Sequence, residues 1–306
     1  MKLKNKSRQK TRTVSRTVSE ESVIRTVIRI LNDPQLRPAA LRSVFLIFKN
    51  FFFLQYMGAF FPGHHKTTRA DHPLDEKIPF RPDKVEIYLD FVQFYIRALG
   101  FLIDYSRKIK NPRDRTHAAA EILNLINSLG NAYSMAAEVY SKNFSTTNRP
   151  RYLSRFKFLV IHVFDPHLMC IPSLHVMVMI LTYTRFKKLY DELRRCVASE
   201  DEQESFTEEV RSGALAITEA VLYIKQHSVN CISAAMYAMT RFDGLFPQTE
   251  AEEFANDIFK NADDIYESDV REIREHIIKL YRRFLEQGSV PWEKPLLDFL
   301  AGLPAV

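Results

Sequence analysis

Pro172, Ser173 and His175 stand at the front of an apolar segment, Val176 to Thr184, at the end of a stretch that begins at Phe164. Pro suits the first position of a helix, because its missing N–H has no partner to lose there and its φ is already helical. With Pro172 in that place, Ser173 and His175 fall in the first turn, beside unpaired N–H groups and the positive end of the helix dipole. A hydroxyl, an imidazole and free amides at one point suit a phosphate. Two further stretches carry matching chemistry. Lys142 and Arg149-Pro150 are separated by six residues, giving a point charge and a planar fork for phosphate oxygens. Lys225 and His227 lie between Tyr223 and Cys231, inside an apolar segment read as part of one helix over 206–241. Each has a plainer reading. Basic residues at a helix end are often only solvated or complement its C-terminus, and a lone His on an apolar helix is usually a hydrogen-bonded core residue.

In this order and spacing the three stretches resemble the signature of the type 2 phosphatidic acid phosphatase and vanadium haloperoxidase superfamily. That signature is Lys-x6-Arg-Pro, then Pro-Ser-x-His, then a His followed four residues later by Asp. The Pro-Ser-Leu-His and Lys-Gln-His forms are similar to the branch containing inositol phosphorylceramide synthases, and the resemblance covers roughly residues 85–245. It implies an all-α helical core and a metal-independent phosphatase or phosphotransferase without a cofactor. His227 would attack phosphorus to give a phosphohistidine, and His175 would protonate the leaving group. Lys142, Arg149, Ser173 and the amides near Leu174 would hold the phosphate oxygens. The substrate would be a phosphate ester, a lipid phosphate among the options.

The chain also departs from that pattern. Cys231 stands where the family has the Asp that orients the nucleophilic His, and a thiol is a weak acceptor. Val221 stands where the phosphatase branch has an Arg. Lys225 is a substitute for the missing charge, and Asn230 a substitute orienter one residue off register. A second class therefore stands beside the enzyme: a degenerate member that binds a phosphate-bearing ligand or serves as a scaffold.

The elements that must position these residues read as helices. The apolar share of 46% over 306 residues is ample for a core, and only eight Gly argue against a turn-rich β architecture. The net charge of +6 is spread out, which suits anionic partners and not a nucleic-acid binder. Three unpaired cysteines, Cys170, Cys196 and Cys231, argue for a reducing compartment and against a disulfide framework or a zinc site. No run of strand type stands out, so the expected fold is all-α, a helical bundle. Its expected divisions are a basic disordered tail at 1–18, N-terminal helices and a surface loop at 19–83, the core at 84–245 and C-terminal helices at 246–306. His64, His65 and His72, in or beside that loop, read as solvated, with no metal site. No secretory signal follows the basic start. Every apolar run holds polar or charged groups; in 41–61 they are Arg42, Lys49, Asn50 and Gln55. A charge inside a span costs roughly 2.5–3.5 kcal/mol. The expectation is a cytoplasmic protein, soluble or peripherally membrane-bound through 41–61.

Overall fold

The computed structural model describes residues 17–61, 66–150, 152, 154, 156–197, 205–288 and 290–306. Side-chain caps set the first two helices. The Ser22 hydroxyl accepts from the Arg25 amide and opens α1 (Val23–Asn32); the Asp33 carboxylate accepts from the Gln35 and Leu36 amides and opens α2 (Leu36–Ile47). A π-helical turn, Phe48–Phe53, carries α2 without a break into α3 (Leu54–Phe60). There follow β1 (Thr67–Arg69), a 3-10 turn at Pro73–Lys77, α4 (Val85–Leu89) and α5 (Phe91–Ser106). The long α6 (Pro112–Tyr140) starts with Asn111 as cap and Pro112 in its first turn, as the Asn-Pro pair predicts. After β2 (Phe144–Thr146) come α7 (Phe156–Phe164), α8 (Leu174–Val197), α9 (Ser205–Tyr223) and α10 (Val229–Phe242). The chain closes with α11 (Gln248–Asp257), α12 (Glu267–Glu286) and α13 (Lys294–Ala301).

The fold is an all-α helical bundle, and α8 is its axis. Val176 to Thr184 are all buried, as a helix apolar on every side must be. The α5, α6, α9 and α10 helices surround it, with α2 laid along α6, α1 on α5 and α12 on α10. Ile273, Ile277, Leu280, Tyr281 and Phe284 form the buried face of α12, the stripe their spacing predicts.

Several local expectations need correction. Two strands do exist: β1 and β2 pair in parallel with Thr68 opposite Ser145, and Ser145 also bridges to Met169. Three-residue strands are too short to show an alternating pattern. The helix expected over 206–241 is two helices, because Lys225 takes a left-handed backbone, φ 56°, and the turn at 224–228 separates α9 from α10. Pro172 is not the first helical residue. A cis peptide bond joins it to Ile171, and the helix starts two residues later at Leu174. The end of the expected 1–18 tail is anchored, since Val18 is fully buried and its amide donates to Glu209; residues 1–16, His64 and His65 lie outside the described residues. His72 is not a solvated loop residue. Its ring stacks on His276 at 3.8 Å, and its Nδ1 accepts from the Leu74 amide.

Candidate active site

Backbone pairing brings the three stretches together. β2 lies beside the segment leading to α8: the Ser145 amide donates to the Leu168 carbonyl, and the Cys170 amide donates to the Ser145 carbonyl. The Ser145 hydroxyl also accepts from the Ile171 amide at 2.7 Å. The Ser173 amide donates to the Cys231 carbonyl at 3.4 Å, joining the head of α8 to the first turn of α10. The Arg149 guanidinium then closes the ring by donating to Gln226 Oε1 at 3.1 Å and to the Asp165 carbonyl at 3.1 Å.

His175 and His227 meet inside this ring. Their centroids are 5.6 Å apart with the planes at 61°, within the roughly 10 Å that contact with one phosphoryl group allows. Tyr88 stacks on the His175 ring at 4.3 Å and Phe91 lies at 4.2 Å, so α4 and α5 hold it from behind. His227 sits in the turn between α9 and α10, with its amide donating to the Val221 carbonyl. Burial pushes its pKa down to about 4, and the Cys170 backbone pulls weakly the other way. The His227 Nδ1 atom is buried and has no hydrogen-bond partner among the described residues. Burial also lowers His175 well below the usual range, with His227 adding to the effect. Both rings are therefore neutral at neutral pH. His227 is common to the lining of two cavities. One, about 560 Å³, is bounded by Arg69, Asp71, Asp75, Thr147, Asn148 and Lys225 among others. The other, of only about 10 Å³, lies between His227, His175, His167, Asp165 and Phe51.

Ser173 is fully buried and acts as the cap of α8, its hydroxyl 3.5 Å from the Val176 amide and its carbonyl accepting from Met177. Leu174 and His175 are the first helical residues, whose amides have no carbonyl one turn below them.

Three expected site residues are placed differently. Lys142, like Arg149 and Ser173, lines neither cavity, and unlike them it turns away from the ring of segments and donates to Glu293 Oε1 at 2.6 Å. It sits at the end of α6, where the reach is toward the cap of α13. Lys225 does border the larger cavity, but its ammonium donates to the carbonyls of Asp75 and Ile78. Burial lowers its pKa. Cys231 lies in the first turn of α10 while His227 lies outside any helix, so four residues of spacing do not make one helical turn here. Burial pushes the Cys231 thiol far up, with Cys170 adding to the effect. Asn230 does not orient His227 either; its amide donates to the Ala70 carbonyl and its oxygen pairs with His276 at 2.8 Å.

Several residues beside the site belong to none of the three stretches' phosphate-binding positions. Asp165 lies beside Arg149 at 3.8 Å, its carboxyl pushed up by burial against the pull of that guanidinium. His167 has φ 63° and pairs with the Thr147 hydroxyl at 2.7 Å. Asp75 accepts from the Val229 amide at 2.9 Å and so caps α10 from a distant loop. One signal was legible: His72-Pro73 followed by Asp75 has the form of a helix start, and the structure makes it a capping box. Nothing in the sequence points to Tyr88 and Phe91 as supports for His175. Compared with known proteins, the chain matches no family model, no curated protein and no solved structure.

Proposed function

We propose that the protein transfers or hydrolyses the phosphoryl group of a phosphate ester, with His227 as nucleophile and His175 as general acid. The observation that carries this reading is the pair of imidazoles 5.6 Å apart. Both belong to a ring of segments closed by the Arg149 guanidinium. A lone pair of the neutral His227 ring attacks phosphorus, and the bond from phosphorus to the leaving oxygen breaks. His175 gives its proton to that oxygen. Water then attacks phosphorus, His175 takes the water's proton, and the P–N bond breaks to release phosphate. Arg149 stabilises charge on the non-bridging oxygens as it builds. Neutrality suits His227 as it stands, whereas His175 must gain a proton, which a bound phosphate dianion would favour.

A second reading, a phosphate-ligand-binding or scaffold protein without turnover, has its own supporting observation. The space between the two rings holds about 10 Å³, room for about one water and not for a phosphoryl group. On the enzymatic reading that space opens when the ester enters from the larger cavity. Hydrolysis of p-nitrophenyl phosphate by the purified chain, with and without chelator, separates the two. Turnover that survives chelation and disappears in His227→Asn supports the enzyme. A folded wild type that binds inorganic phosphate without turnover on soluble and lipid phosphates supports the second reading.

A further inference from the structure

The outward face of α1, α2, α3 and α7 is apolar and uncovered. Ile24, Phe45, Phe48, Phe60, Phe156 and Phe164 are between 58% and 77% exposed. Such burial is inverted for side chains of this size. Leu41, Val44, Phe45 and Phe48 follow helical spacing along one side of α2 and the π turn, while Ser43 on the other side donates to the Ile126 carbonyl of α6. The helices that carry it adjoin: α1 packs on α2, and the Tyr56 hydroxyl of α3 donates to the Val163 carbonyl of α7 at 2.9 Å. Large apolar side chains exposed on adjoining helices mark an interaction surface.

Charge selects the occupant. The sequence has no Asp or Glu between Asp33 and Asp71, and Arg25, Arg37 and Lys49 are exposed on the same helices. Residues 1–16, which lead into α1, hold seven Lys and Arg and no acidic residue. Phe-rich apolar surface beside basic charge fits an anionic lipid leaflet. The helix Leu36–Phe60 is long and apolar enough to cross a bilayer, with 17% of its most apolar window buried. It does not stand alone, however. Arg42 and Asn50 bond to Asn127, Asn131 and Ser134 along α6, and α6 carries Glu121 and Glu138, which a transverse pose would drag into hydrocarbon. We infer that this face lies in the plane of an anionic membrane, its phenylalanines inserted and its basic groups at the headgroups. The inference stands apart from the chemistry at His227.

Flotation of the full chain with phosphatidylcholine vesicles, with and without phosphatidylserine, tests it. Wild type floats with the phosphatidylserine vesicles, about tenfold better than with phosphatidylcholine alone, and is released by high salt or carbonate. Phe45→Glu with Phe48→Glu lowers flotation by about tenfold or more while far-ultraviolet circular dichroism stays that of wild type. Lys49→Glu weakens it less, and Tyr266→Glu, an exposed site on the cap of α12, leaves it unchanged. Absence of flotation, equal binding to both vesicles, or retention after carbonate overturns the inference. So does a concentration-dependent dimer that the double Phe variant dissolves, which would assign the face to a second copy.

Discussion

His227 can act as a nucleophile only while its ring is neutral, and burial, which takes its pKa to about 4, keeps it so over nearly the whole working range. On the proposed reaction His175 must carry a proton, yet its pKa is also lowered. The two demands overlap on the acid side. The kcat/KM profile should therefore rise with pH through about 4 and be higher near pH 5 than near pH 8; a profile that climbs to alkaline pH would remove His175 as the acid. Lys142, a phosphate ligand by the resemblance alone, is held elsewhere by the fold. Lys142→Ala should leave kcat/KM within about twofold, but it strips the half-exposed ammonium from the buried Glu293 carboxylate and should cost about 1–3 kcal/mol. Cys231→Asp, which by resemblance would restore an orienting carboxylate, should instead destabilise by about 3 kcal/mol or more without raising turnover. It places an unpaired carboxyl at a fully buried position not one turn from His227. A rise in turnover with unchanged urea midpoint would show that this placement is wrong.

At the scale of elements, the joints between helices decide the site. The helical content, the start of α6 and the buried stripe of α12 were legible because an Asn-Pro start and a long periodic segment declare themselves. The break at Lys225 was not, because nothing around it stops a helix in the one-dimensional pattern; tertiary bonds from Lys225 to Asp75 and Ile78 hold the left-handed turn. The strands β1 and β2 were invisible for a similar reason, each being three residues long. Yet β2 is what carries the chain from Lys142 to Arg149 past the head of α8. Gly58 of α3 lets that strand approach: a Cβ there would lie 2.3 Å from the Phe144 ring. Gly58→Ala should lower stability by about 1–3 kcal/mol through overpacking, read as a lower urea midpoint. The same substitution at Gly302, whose nearest neighbour would be at 3.5 Å, should cost far less.

For the whole molecule, the same burial that prepares the site makes the fold acid-sensitive. His227 titrates at about 4 when folded against an ordinary 6.5, so between those values the unfolded chain binds more protons. Its contribution is fully present above about pH 6.5 and falls away as pH drops toward 4, by roughly 3 kcal/mol in total. His276, also lowered to about 4, adds in the same direction. Urea midpoints taken across that range should fall, with a shallower slope in His227→Gln; a flat profile would contradict the burial. That His175 and His227 stand 5.6 Å apart agrees with the one cleft that the resemblance implies. The company they keep, Asp165, His167, Tyr88 and Asp75, was not legible in the sequence, since only the packing of α4, α5 and the Pro73–Lys77 turn brings it there. A phosphohistidine at His227 is the step on which the proposed chemistry stands or falls. The chain is mixed with a phosphate ester radiolabelled at phosphorus, quenched in alkali and digested. The proposed chemistry requires label on the peptide containing His227, stable in alkali, lost in acid and absent from His227→Asn. Product formation with no label on protein, or label that persists in His227→Asn, would contradict it.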